Sequence, residues 1–207
     1  MASSLGLKRN ALVVEKRIDN HTQSYPPLDY SFHNARKLED AVVEPRVSTG
    51  GSKLVVEGDR YHSYGINLNH NSLSGPMDTF PEFLRKTLMN PFALASLDLS
   101  FNEFTEIPTV ITRLPSLKYF YFHKNMLSDP GEVQKLASLR ELKYLTLHGN
   151  PVEMNVPYLR SYVLSLLPDL RSLNCTPVTK GDRQISGVWS VMNKNLLPKT
   201  SNKNLKK

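Results

Sequence analysis

His123 and His148 each stand two residues before an asparagine, in the stretches LKYFYFHKN and LKYLTLHGN, so the two imidazoles hold equivalent places in two copies of one pattern. Side by side they could begin a metal site, but zinc takes three or four ligands. The equivalent places in the flanking copies are Ser100 and Thr176, neither a usual zinc ligand. Asp98, Ser100 and His123 are the residue types of an orienter, a nucleophile and a base, yet Ser100 and His123 belong to different copies and no glycine-rich run nearby supplies oxyanion donors. Cys175, the single cysteine, falls where the pattern places a core residue, so an inert buried thiol is expected. The chain has no G-x-x-x-x-G-K-[ST], G-x-G-x-x-G or C-x-x-C. The expectation is a protein that is not an enzyme, with no cofactor, metal or small-molecule substrate.

The pattern that places these residues is the frame L-x-x-L-x-L-x-x-N-x-L. It recurs as SYGINLNHNSL (63 to 73), LASLDLSFNEF (94 to 104), LKYFYFHKNML (117 to 127) and LKYLTLHGNPV (142 to 152), with a degenerate fifth copy, LRSLNCTPVTK (170 to 180). A leucine-rich period of this kind predicts a solenoid of the α/β class. The predicted fold is a short curved parallel sheet of about five rungs, with a helical or irregular convex side and a C-terminal cap helix. Alternation sends Ile66/Leu68, Leu97/Leu99, Phe120/Phe122, Leu145/Leu147 and Leu173/Cys175 inward. The asparagines Asn71, Asn102, Asn125 and Asn150 follow each strand, where a side-chain amide can satisfy backbone groups that have no ladder partner.

Between strands, residues 78 to 88, 130 to 139 and 156 to 167 read as helices and 108 to 114 as a turn or two. Asp129 before Pro130 is an N-cap signal. Thr179 with Asp182 resembles a capping box opening a helix whose Ile185, Val188, Trp189 and Met192 are expected to cover the last rung. Residues 1 to 52 show short apolar clusters without a sustained period and read as an extended or disordered arm; 53 to 193 are the repeat domain with its caps, and 194 to 207 a basic flexible tail. Residues 53 to 57, followed by Gly58-Asp59, can form a strand that hairpins onto the first repeat. In the arm, Leu28, Tyr30 and Phe32 follow the stiff Pro26-Pro27 and are the expected anchors to a partner.

The formal net charge is +7, but residues 58 to 178 carry equal numbers of acids and bases, and nearly all the excess lies beyond residue 178. Nucleic acid is therefore not the expected partner of the repeat domain. For the lysine tail, solvation, an acidic protein surface such as the outside of a microtubule, and nucleic acid stay open. No apolar run is long enough to span a membrane, Glu15 and Asp19 interrupt any secretory or transit signal, and one cysteine suits a reducing compartment, so a cytoplasmic protein is expected.

Outward residues of the strands line the concave face. Asn67, Asn69, Asp98, Ser100, Tyr119, Tyr121, His123, Tyr144, Thr146, His148 and Asn174 are the candidate protein-binding residues, with the tyrosines foremost because they give a large rigid contact at low entropic cost. The same tyrosines could instead only stack on one another across strands ~4.8 Å apart.

The segments PPLDYSF (26 to 32), LDLSFNEFTEIP (97 to 108), LTLHGNP (145 to 151) and YVLSLLPDLRSLNCTPVTKGDR (162 to 183), followed by Val188-Trp189, resemble the leucine-rich repeat-containing protein 51 family over most of residues 26 to 193. PPLDYSF lies outside the four full frames and the degenerate fifth and is the most specific of these segments, whereas VTKGDR is similar to the terminal cap of short repeat proteins of the phosphatase-regulator and axonemal light-chain kind. The resemblance implies a small non-catalytic intracellular adaptor or scaffold of ciliated cells, placed in the cilium or flagellum axoneme with axonemal or microtubule-associated proteins as partners. A subunit gripping a phosphatase or other globular enzyme, and a ribonucleoprotein component, are the alternatives.

Overall fold

The computed structural model describes residues 25–41, 44–46 and 53–194. The expectations for residues 1 to 24 and for the tail from 195 onward lie outside the described residues. Strands β1 (Leu28–Asp29), β4 (Gly65–Asn67), β5 (Ser96–Asp98), β6 (Tyr119–Tyr121), β7 (Tyr144–Thr146) and β8 (Ser172–Leu173) run parallel in that spatial order, and β9 (Thr176–Pro177) closes the sheet antiparallel to β8. The register aligns Leu28, Ile66, Leu97, Phe120, Leu145 and Leu173 in one row. All six are buried, as are Tyr30, Leu68, Leu99, Phe122 and Leu147 in the row behind. Each rung thus completes the core of its neighbour, and the solenoid expected from the frame is the fold observed.

The asparagines do the backbone work expected of them. Asn102 Oδ1 accepts from Leu73 N at 2.9 Å, while its Nδ2 donates to Leu68 O at 3.0 Å and Leu99 O at 3.1 Å. Asn71, Asn125 and Asn150 repeat this arrangement, so each amide ties its own rung to the preceding one.

The N-terminal arm departs from expectation. β1 pairs with β4, Leu28 is fully buried, and Tyr30 is 2% exposed with its ring edge-on to Phe83 at 5.5 Å. LDYSF at 28 to 32 repeats LDLSF at 97 to 101 in both sequence and geometry. In each, the Asp Oδ1 accepts from the backbone N and the hydroxyl of the Ser two residues on, and the Phe is left-handed at φ 59 and 53. Residues 25 to 41 therefore belong to the repeat domain as an additional rung, and Leu28 and Tyr30 are core residues rather than anchors. Phe32 is 63% exposed. A short helix, α1 (Leu38–Ala41), buries Leu38 and Ala41 on this end, and Arg46 N bonds Asp29 O at 2.7 Å along the otherwise open strand edge. The hairpin of β2 (Val55–Glu57) and β3 (Arg60–His62) turns at Gly58, φ 60, and stands as a separate two-stranded sheet.

On the convex side α2 (Phe80–Thr87) buries Phe80, Phe83 and Leu84. Thr109–Arg113 forms a 3₁₀ turn. Pro130–Ser138 is also 3₁₀ rather than α, capped by Asp129 accepting from Gly131 N at 2.8 Å; the 3₁₀ form rises ~2.0 Å per residue and spans the arc with fewer residues. The helix expected over 156 to 167 is instead two, α3 (Val152–Asn155) and α4 (Leu159–Leu166). Pro157 forces Val156 into extended backbone, and Tyr158 turns the chain at φ 60.

The C-terminal end departs from expectation too. α5 (Lys180–Met192) opens with a true capping box: Asp182 N donates to Thr179 Oγ1 at 3.0 Å and Thr179 N to Asp182 Oδ2 at 2.8 Å. It rests on α4 through buried Ser186 and through Trp189, whose ring meets Tyr162 at 5.8 Å, while Ile185, Val188 and Met192 face outward at 62%, 61% and 78% exposure. The strand that covers the last parallel rung is β9, and the fifth frame ends early to make it. Asn174 and Cys175, at φ 53 and 61, form the two-residue turn between β8 and β9, so Cys175 is exposed instead of occupying the core. Among the described residues no helix is long and apolar enough to cross a membrane.

Candidate functional site

The strand register that builds the core also fixes the concave face. Gly65, Ser96, Tyr119, Tyr144 and Ser172 stand abreast in one outward row, and Asp29, Asn67, Asp98, Tyr121 and Thr146 in the next. Tyr119 and Tyr144 stack at 4.5 Å with rings 10° from parallel. Tyr121 lies beside them, and burial together with the Asp98 charge pushes its hydroxyl pKa up, so it remains a neutral donor. Upstream, Tyr25 and Tyr64 approach to 5.8 Å, and a hollow of about 240 Å³ forms between them and Tyr119 and Tyr121. Its floor includes Gly65, where an added Cβ would come within 3.0 Å of Pro27 Cβ. The repeat frame does not point to Tyr25 or Tyr64. Tyr25 and Pro27 belong to the additional first rung, and Tyr64 precedes its strand.

At the carboxyl ends of the strands, polar residues divide into two sets. Asn69 Nδ2 donates to Asp98 Oδ2 at 2.7 Å, and Ser100 Oγ donates to Asp98 Oδ1 at 2.5 Å. Ser100 is 1% exposed, and Thr146 is also buried, with its hydroxyl 2.9 Å from His123 Nδ1. The hydroxyl of Ser100 is thus engaged by Asp98 and the imidazole of His123 by Thr146, an arrangement with no nucleophile-to-base contact. Ser100 and Thr146 shape the floor and do not present their side chains to a partner, contrary to expectation. Asn174 is spent likewise: its Oδ1 accepts from Leu147 N at 2.7 Å and His148 N at 3.1 Å, acting as the framing asparagine of the last rung from a turn position.

His123 and His148 do lie side by side, stacked at 4.5 Å. Burial, then the neighbouring His148, lowers the His123 pKa, so it holds a proton less readily than a free imidazole. Among the described residues no three His, Cys, Asp or Glu side chains gather closely enough to hold a metal ion. The histidine pair is the end of a longer feature. Phe32 stacks on His70 at 4.3 Å, His70 on Phe101 at 4.1 Å, and Phe101 meets His123 edge-on at 5.3 Å, so five rings run across the rungs along one rim of the concavity. Arg46 covers the free end, with its guanidinium 5.6 Å from the Phe32 centroid. Phe32, His70 and Phe101 occupy the left-handed corner of successive rungs at φ 59, 52 and 53, a conformation that turns their side chains onto the rim. The signal for this rim lies one place further along the frame than the strand residues expected to bind.

A leucine-rich repeat family model matches residues 59–194. The rat leucine-rich repeat-containing protein 51 is 39% identical over 175 residues, 84% of this chain and 90% of that protein, and its human counterpart is 39% identical over the same shares. The mouse centrosomal protein of 72 kDa is 36% identical over 105 residues, half of this chain and 16% of that protein. Among solved structures, the Drosophila melanogaster SNF/U2A' complex contains a chain with the same fold at TM-score 0.52 and 22% identity, covering 67% of this chain and 71% of that one. The repeat frame, its asparagine ladder and these matches agree: the chain belongs to the leucine-rich repeat-containing protein 51 family.

Proposed function

We propose that the chain is a non-catalytic scaffold or adaptor that holds a segment of another protein along its concave face, as a structural component of the cilium or flagellum axoneme. The observation that carries the binding reading is the pairing of an aromatic rim, half-buried at its histidines and exposed at Phe32 and Phe101, with a tyrosine-lined floor on one sheet. Tyrosine and histidine rings already ordered by stacking lose little freedom on docking, so the face is preorganised for contact. Within the concavity, Asn67, Asn69 and Asp98 supply hydrogen-bonding groups, and Tyr119, Tyr121, Tyr144, His123 and His148 supply area. The axonemal placement and a microtubule-associated partner are supported by the family resemblance. A centrosomal relative over half the chain is consistent with a cytoskeletal setting.

Proximity labelling in ciliated cells, comparing the natural chain with Tyr119→Ala/Tyr144→Ala, tests both parts. The expected outcome is a set of axonemal neighbours that falls at least tenfold in the variant while its melting temperature holds. A set dominated by phosphatase subunits or RNA-binding proteins would replace the axonemal reading. Unchanged labelling by the variant would remove the concave face from it.

A further inference from the structure

The outward face of α5 is used by neither the solenoid nor the concave surface. Ile185, Val188 and Met192 recur at spacings of three and four residues, the repeat of a two-helix seam, with exposed Val191 beside them. A surface helix ordinarily turns such a stripe toward its own core. Here Ser186 and Trp189 occupy the inward side, and the stripe is left facing out. The surface beside it is cleft rather than flat. Trp189 divides a groove of about 430 Å³, bounded by Val156, Pro157 and Tyr162, from one of about 370 Å³ toward Val188 and Met192, and Tyr158 borders both. Ridges flanked by clefts of this size accept the side chains of a second helix.

Charge selects the occupant. Between Thr179 and Lys194 the described residues include three basic ones and one acidic one, and that acid, Asp182, is already engaged by Arg160 at 2.8 Å. Lys180 and Lys194 bracket the stripe at its two ends. A second copy would bring the same basic ends into contact, and a stripe on a helix of 13 residues, ~20 Å long, is small for a stable homodimer interface of ~800 Å² per partner. We propose that the outer face of α5, with the clefts on either side of Trp189, docks an amphipathic helix of another protein whose apolar stripe is flanked by Asp or Glu.

Trp189 is the one tryptophan in the sequence, so its emission reports on this site directly. The full chain is titrated with two tryptophan-free synthetic helices of three heptads, both with Leu along the seam, one flanked by Glu and the other by Lys. The expected result is a saturable change in emission with the Glu-flanked helix, at least tenfold weaker with the Lys-flanked one. Binding should also fall at least tenfold in Val188→Asn and in Met192→Gln, which keep the charge. Because both residues are exposed, the variants should melt with the natural chain, which separates lost docking from lost fold. The proposal is overturned if neither helix binds, if the two helices bind equally, or if the variants bind as well as the natural chain. Self-association of the chain alone that Val188→Asn abolishes would assign the stripe to a second copy, and binding to anionic lipid vesicles that the same variant abolishes would assign it to a membrane surface. Either would overturn it too.

Discussion

The two ends of the solenoid solve the same problem in opposite ways. At the N-terminal end an additional rung closes the stack: Leu28 and Tyr30 continue the two apolar rows, and the strand edge beyond them is covered by Arg46. At the C-terminal end the last parallel strand turns back on itself as β9, and α5 leans on α4 while leaving its most apolar residues in solvent. A stretch rich in Pro and lacking period is core, and a well-patterned amphipathic helix is partly free. Burial here follows from register within the stack rather than from local hydrophobicity, because a side chain at the fourth or sixth place of a rung flanked on both sides is covered by its neighbours whatever surrounds it in sequence, whereas Cys175, at the sixth place of the last frame, turns out into solvent.

The largest effect is expected for Tyr30→Ala. Removing a fully buried aromatic ring is expected to destabilise the protein by about 3 to 5 kcal/mol, on the scale of Leu147→Ala in the middle of the stack at about 2 to 5 kcal/mol. Urea denaturation of the two variants checks it. If Tyr30→Ala melted like the natural chain, the N-terminal rung would be a detachable arm after all.

Asn102→Ala comes next, with an expected loss of about 3 kcal/mol. It orphans the amide of Leu73 and takes one of two amide donors from each of the Leu68 and Leu99 carbonyls, which keep Asn71 and Asn125, in a buried setting where water cannot replace the lost partners. Hydrogen exchange should show faster amides on both rungs it joins, 63 to 73 and 94 to 104, with the terminal rungs affected less.

A smaller effect is expected at the Arg160–Asp182 pair, which ties α4 to α5 through two contacts, Nε to Oδ1 at 2.8 Å and Nη2 to Oδ2 at 2.9 Å. The guanidinium, followed by the Thr179 donors, holds the Asp182 carboxyl well below the usual carboxylate range. A carboxylate depressed on folding stabilises the protein above the unfolded value of about pH 4, and that stability is lost as the pH falls below it toward the folded value. Partial exposure of both side chains keeps the worth of the pair to about 1 kcal/mol. Melting temperatures between about pH 5 and pH 2 should fall less steeply in Asp182→Asn than in the natural chain. Equal slopes would mean that the pair adds nothing to the cap.

Legibility in the sequence divides along the same line. The frame makes the parallel sheet, the inner rows and the asparagine ladder readable, since each depends on spacing within one repeat. The first rung is present as LDYSF echoing LDLSF, but the stretch from His33 to the next rung is long and brings no framing asparagine in register, so the pattern breaks before the repeat can be seen. The fifth frame fails for a related reason. Alternation cannot announce that two consecutive residues, Asn174 and Cys175, are left-handed, and that conformation ends the strand and turns it back. Of the concave candidates, the tyrosines and histidines are where their frame positions put them, whereas Thr146 and Asn174 are claimed by residues of the adjacent rung that only the three-dimensional stack supplies, and Ser100 by Asp98 two residues before it.

The smallest expected effect on stability is the one that most sharpens the contrast between the ends. Periodicity in α5 states that Ile185, Val188 and Met192 share a face, but it does not say which face meets α4. The seat is taken by Ser186 and Trp189, because the bidentate tie from Arg160 fixes the rotation of the helix at its first turn. Replacing Val188 by Asn should therefore move stability by no more than about 0.5 kcal/mol in either direction, since the side chain stands mostly in solvent. Trp189→Ala, one residue along, removes a ring packed on Tyr162 and should cost at least about 2 kcal/mol. A loss at Val188 comparable to that at Trp189 would mean that the stripe is covered within the chain itself, and the C-terminal end would then be closed as fully as the N-terminal one.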